Sequence, residues 1–161
     1  MDVAATDQCA VEQMWADYTA HSGHTGPRRS TYCFGDSAEM ADGLGDLVVH
    51  GPKRATAGML AAYDAEDEPL PRVGDHDVVT GGDGRALAVL RTTDVRVGPL
   101  SSVDDAFAWD EGEGDRTRRS WLEDHTAFFT RQCVALGVPF HDDLTVVFER
   151  FELVWPLGPS L

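Results

Sequence analysis

The chain has 161 residues, 42% of them hydrophobic, and a formal net charge of −15 from 28 acidic and 13 basic residues. That length predicts one domain with one sizeable core. The charge opposes broad, non-specific binding to a phosphate backbone, which clustered cations drive.

Residues 8–21 read as a helix, because Val11, Met14, Trp15 and Tyr18 fall at i, i+3, i+4, i+7 and form one apolar stripe. Loop chemistry follows from Ser22 to Pro27. Residues 1–30 are expected as a helical extension on the side of a domain spanning 31–161. Tyr32, Cys33 and Phe34 form a short apolar piece before Gly35-Asp36. Asp36 and Glu39 have the spacing of a capping pair. They would open a helix over 37–49 that buries Met40, Leu44, Leu47 and Val48, ended by Gly51-Pro52. Lys53 to Gly58 reads as a short strand or extended loop, and Met59 to Ala65 as one or two helical turns. Pro69, Pro71 and Gly74 mark a connecting loop.

His76–Thr80 and Arg85–Val97 read as two strands around the turn Gly81-Gly82-Asp83-Gly84. Ser101 or Ser102 is expected to cap a short helix through Phe107 and Ala108. Glu111 to Asp115 is an acidic, glycine-broken loop, in which Glu113 and Asp115 read as solvated and Asp115 as the cap of the next helix. That helix, over about 116–136, carries Trp121, Leu122, His125, Phe128, Phe129, Cys133 and Leu136 at near-helical spacing. Leu144–Trp155 is a closing strand with Val147, Phe151, Leu153 and Trp155 on one face. Few, interrupted strands, two of them joined by a tight turn, predict an α+β fold with a small, mostly antiparallel, barrel-like sheet.

No apolar run is long enough to span a bilayer. The start, Met1-Asp2-Val3-Ala4-Ala5, has neither the basic residues nor the apolar stretch of a signal peptide. Cys9, Cys33 and Cys133 are odd in number and in no paired spacing, as reduced thiols are. A cytoplasmic protein with no membrane partner is expected.

Lys53 is the only lysine; the other twelve basic residues are arginines. An ammonium can lose its proton when desolvated and act as a base, which a guanidinium cannot. If a bend brings Thr56 to Lys53, the amine could take the hydroxyl's proton or stabilise an oxyanion. Burial of Glu111 near Lys53 would make it an acid/base partner or an orienter of the amine. His21 and His24 lack a third ligand nearby, no Cys/His spacing matches zinc, and His125 reads as a hydrogen-bonded core histidine. No metal and no cofactor are expected. The chain has no G-x-S-x-G and no phosphate-binding glycine loop.

Several motifs occur in a fixed order: Phe34-Gly35-Asp36; Gly51-x-Lys53-x-x-Thr56; Glu68-Pro69-Leu70-Pro71-x-Val73-Gly74-Asp75; Phe107-Ala108-x-x-Glu111-Gly112-Glu113-Gly114-Asp115; Trp121, His125 and Phe128-Phe129; Val147-x-Glu149-x-Phe151. Together, over about 34–155, the sequence resembles the ASCH domain family, in the subgroup with the E-G-E-G-D loop. The resemblance implies a PUA-like fold, a small β-barrel flanked by helices, with the first helix as an addition. It also implies a cleft for RNA or a nucleoside-like ligand. Some relatives deacylate N4-acetylcytidine with a Lys, Thr and Glu set, which falls here on Lys53, Thr56 and Glu111. Phe34, Asp36, Arg54, Tyr63, Trp121 and His125 are the implied ligand-binding positions. Other relatives are ribonucleases or non-catalytic RNA-binding modules. A ribonuclease would need Arg28, Arg29, Arg54, Arg116, Arg118 and Arg119 gathered on one face. Oligomeric state is left open by the sequence.

Overall fold

A computed structural model describes residues 2–158. In chain order the elements are α1 (Gln8–Ser22), β1 (Ser30–Tyr32), α2 (Ala38–Val49), β2 (Ala55–Met59), α3 (Leu60–Ala65), β3 (His76–Thr80) and β4 (Ala86–Pro99). After a single 3-10 turn over Leu100–Ser102 come α4 (Asp105–Glu111), α5 (Arg118–Leu136) and β5 (Thr145–Trp155). The strands form one sheet in the order β1-β3-β4-β5-β2, with β1 parallel to β3 and every other pair antiparallel. It is the half-barrel of an α+β, PUA-like fold, flanked by five helices. The tight turn at 81–84 joins β3 to β4 as expected, with Gly84 N–H donating to Gly81 O at 3.0 Å.

Strand β4 gives the sheet its curl. Ala86 to Arg91 pair with β3 and Val89 to Pro99 with β5, and the register to β5 slips between Val89 and Leu90 and again between Thr92 and Asp94. Such bulges bend a strand and add twist. Three apolar clusters fill the layers. The largest lies between β2, β5, α4 and α5, around Met59, Phe107, Trp121, Phe129 and Phe148. A second joins α2 to the sheet through Phe34, Val48, Leu90 and Phe151. In the third, the α1 stripe read from the sequence seats Val11 and Tyr18 on Val78 and Val89. Among the described residues no helix is long and apolar enough to cross a membrane.

The helix starts correct several expectations. Ser37, not the Asp36/Glu39 pair, caps α2: its extended backbone lets its hydroxyl accept from Met40 N–H. Asp36 is drawn off to α5, where Arg131 donates Nε–H to Oδ2 at 2.8 Å and Nη2–H to Oδ1 at 3.3 Å. Helix α4 is capped by Asp104, because Ser102 Oγ donates to Pro99 O instead and the Ser101 carbonyl accepts from Arg118. The helix runs on to Glu111, which the sequence reading placed in a loop, and stops at Gly112 in the left-handed conformation. Thr117, not Asp115, caps α5; Asp115 Oδ1 accepts from Thr117 N–H and Oγ–H.

Candidate functional site

The site is built where α2 turns into β2. After α2, Gly51 and Lys53 both direct their N–H groups to Leu47 O, and Arg54 N–H donates to Asp110 O at 2.7 Å. The chain thus crosses the C-terminal end of α4 at close range. Gly112 permits this: it takes φ of +71°, and a Cβ there would lie 2.8 Å from Lys53 N.

Lys53 is 1% exposed, one of the largest fully buried side chains. Its amine donates to Ala55 O at 2.8 Å, to Glu113 Oε2 at 2.9 Å and to Glu111 Oε1 at 3.5 Å. The Phe34 ring covers the same nitrogen, 5.2 Å from its centroid. An ammonium has three N–H donors, and all three have acceptors here. A bond from Lys53 to Thr56 is not among them.

Glu111, at the last position of α4, is 2% exposed. Trp121 donates its indole N–H to Oε2, and His125 Nε2 lies 3.0 Å from Oε1. Burial alone would raise this carboxyl, but the charges of His125 and Lys53 hold it down to about 2. His125 Nδ1 faces Trp121 O at 2.9 Å. A carbonyl only accepts, so Nδ1 carries a proton, and Nε2 must also donate to an ionised Glu111. Burial disfavours this imidazolium, yet the adjacent Glu111 charge keeps His125 above its ordinary value. The imidazole stacks on Trp121 with centroids 3.9 Å apart.

Glu113 has a different balance. Burial, opposed by Lys53 but reinforced by the Glu111 charge, lifts it above the usual carboxylate range. Two neighbouring carboxyls are therefore pushed in opposite directions, Glu111 down and Glu113 up. The sequence reading left Glu113 in solvent; the sharp turn at Gly112 folds it back onto Lys53. Glu111, Glu113 and His125 each bring one possible ligand atom within 4.8 Å of the others. Lys53 already sits on both carboxylates, so an arriving cation would have to displace its ammonium.

These groups line a cavity of about 80 Å³ with Phe34, Thr56 and Phe128. It adjoins a larger one of about 230 Å³ that shares Phe34, Thr56, Ala57 and Phe128. Thr56 stands on the wall common to both. The larger lobe is walled by Tyr32, Tyr63, Gln132 and Glu149, with Arg29 at its edge. Gly58 gives Tyr63 room to lie over β2, since a Cβ there would come within 3.2 Å of its ring.

Of the implied positions, Lys53, Thr56, Glu111, Phe34, Tyr63 and His125 line the cleft. Trp121 lies behind it as a donor to Glu111. Arg54 and Asp36 line neither lobe. Arg54 donates to the Val48 and Lys53 carbonyls, and Asp36 pairs with Arg131. Glu149 entered the sequence reading only within the motif Val147-x-Glu149-x-Phe151 and was given no role, although it interrupts the apolar face of the closing strand. It is 5% exposed, and burial, only partly offset by a hydrogen bond from Thr92, pushes it up to about 7.

A family model for the ASCH domain matches residues 30–155. The crystal structure of protein EF3133 from Enterococcus faecalis, of family DUF984, is 34% identical, with a TM-score of 0.83 over 92% of this chain and 91% of that one. An ASCH domain crystal structure from Lactobacillus crispatus is 32% identical, with a TM-score of 0.79 over 91% of this chain and 92% of that one. None of the curated proteins matches the chain in sequence.

Proposed function

The chain belongs to the ASCH domain family, and on that premise we propose that it is a hydrolase that removes an acyl group from the amino group of a nucleoside-like ligand. The observation that carries this reading is the buried Lys53 amine between two carboxyls of opposite proton affinity, in a cavity that also holds Thr56.

On this reading the Lys, Thr and Glu set divides its roles as follows. With its three donors directed at oxygens, Lys53 is suited to stabilise an oxyanion rather than to accept a proton. Glu111 is the fixed anion that positions Lys53 and His125. Glu113 is the proton carrier. The Thr56 hydroxyl attacks the acyl carbonyl, forming a C–O bond, and its proton passes to Glu113. The C–N bond then breaks, and Glu113 returns that proton to the departing amine. Water hydrolyses the acyl-threonine by the reverse use of the same carboxyl, releasing the acid and restoring Thr56.

The arginines support a small ligand over an RNA track. Arg28 pairs with Glu12, Arg29 with Glu68, Asp75 and Asp77, and Arg119 with Glu123. Arg54 and Arg118 donate to backbone carbonyls, and Arg116 stacks on Trp109. A ribonuclease or an RNA-binding module would have to break these pairings.

The test is incubation of purified protein with N4-acetylcytidine and other N-acyl nucleosides, with products resolved by chromatography. Turnover is expected, with a loss of 10²-fold or more in Glu113→Gln and no detectable turnover in Thr56→Val. Intact substrates after prolonged incubation, or full activity in Thr56→Val, would refute the reading.

A further inference from the structure

The larger lobe has its own chemistry. Glu149 accepts from Thr92 Oγ1 at 2.7 Å through Oε1. Among the described residues its second oxygen has no hydrogen-bond partner, and neither do the side-chain hydroxyls of Thr56, Tyr32 and Tyr63. Gln132 Oε1 and Arg29 Nε on the same wall are both buried with no hydrogen-bond partner. Polar atoms withdrawn from water without partners lower the stability of the fold. A bound molecule that pairs with them would remove that penalty. Glu149 and Gln132 present acceptor oxygens on this wall, and a ligand with N–H groups would meet them.

Its electrostatics disfavour an anion. Arg29 is the only cation on its wall, and it is already ringed by Glu68, Asp75 and Asp77 at 3.1, 3.7 and 3.1 Å. Glu66 and Glu149 add further acid. Lys53, in the adjoining lobe, is held by Glu111 and Glu113. A phosphate in this lobe would meet Glu66, Glu68 and Glu149 and a single guanidinium already ion-paired to three carboxylates. The walls from Tyr32, Phe34, Tyr63 and Phe128 suit a flat ring.

We propose that the larger lobe is a recognition subsite for an unphosphorylated, amino-bearing heterocycle, read through Glu149 and Gln132, and that it rejects the phosphorylated form of the same molecule. The inference rests on the reading of the cleft as a ligand site, not on hydrolysis there.

The experiment is calorimetric titration at pH 8 of the full chain with adenosine, cytidine and guanosine, against uridine, which lacks the amino group, and against each nucleoside's 5′-monophosphate. At least one amino-bearing nucleoside is expected to bind about tenfold or more tightly than uridine, and its monophosphate to bind more weakly. Glu149→Gln should erase that tenfold preference while melting as a folded protein. Gln132→Leu is the second variant, with the same expected loss. Equal binding of uridine, tighter binding of monophosphates, no binding of any nucleoside, or an unchanged preference in both variants overturns the proposal. Discriminating binding without turnover of acylated nucleosides refutes the hydrolase and leaves this subsite standing. Turnover without discrimination does the reverse.

Discussion

Glu111 and Glu149 are both buried glutamates, one on each lobe of one cleft, and they meet opposite fates. Glu111 is reached by three donors from Lys53, Trp121 and His125, and is held down to about 2. Glu149 has one hydroxyl and is pushed up to about 7. Burial is the largest single influence on each and drives both in the same direction. The outcome is decided by how many charged donors follow the carboxyl into the interior. One lobe is built to hold a charge, the other to hold back from one.

The sharpest way to break that contrast is to remove a partner from the charged lobe. Lys53→Met leaves Glu111 and Glu113 facing each other without their cation. A loss of about 3–5 kcal/mol in urea unfolding is expected, as for other broken buried pairs. A loss under about 1 kcal/mol would mean that Lys53 does not hold the two carboxyls together.

The second test turns on pH. Glu149 has a folded value of about 7 against an ordinary 4.5, so between those values the folded state binds more protons than the unfolded one. Its contribution to native stability therefore falls as pH rises from about 4.5 to about 7. Glu149→Gln removes that penalty. Relative to the parent, the variant should be no more stable at pH 4 and about 3 kcal/mol more stable at pH 8.5. Glu111 runs the other way: its stabilisation is present above about 4.5 and is lost only as pH falls toward 2. Parallel pH curves for parent and Glu149→Gln would erase the distinction between the lobes.

A smaller effect separates charge from packing within the first lobe. Trp121→Phe keeps an aromatic ring on His125 but deletes the donor to Glu111. A loss of about 1.5–3 kcal/mol is expected, the range for a hydrogen bond to a charged group. The smallest is outside the cleft. Arg131→Gln unfastens the exposed fork on Asp36 and should cost under about 1 kcal/mol, which calibrates how much burial adds to the pairs inside.

Much of the scaffold was legible in the sequence because it is written in local periodicities. The α1 stripe, the turn at 81–84 and the aromatic spacing of α5 each follow from neighbours within a few residues. Lys53 was conspicuous by composition, and the ordered motifs brought Glu111 to it. What was not legible depends on distance. Lys53 and Glu111 are 58 positions apart in the chain, and only the approach of two backbones decides that Glu113 turns inward as well. The role of Glu149 was missed for a related reason: alternation in β5 assigns its side chain to an apolar face, but not to the cavity it lines with Tyr32, Tyr63 and Gln132. The caps at Ser37, Asp104 and Thr117 were missed because each stretch offers several competent oxygens, and the choice falls to whichever has no better tertiary partner.

The contact of Gly112 with the Lys53 backbone has a consequence for how variants combine. The ion pair is set by two main chains that touch, not by the reach of two flexible side chains, so positions 53, 111 and 112 form one genetic unit. Free energies of distant substitutions add; those within such a unit do not. Gly112→Ala should displace Lys53 and Glu111 together, and Gly112→Ala combined with Lys53→Met should cost little more than the worse of the two alone.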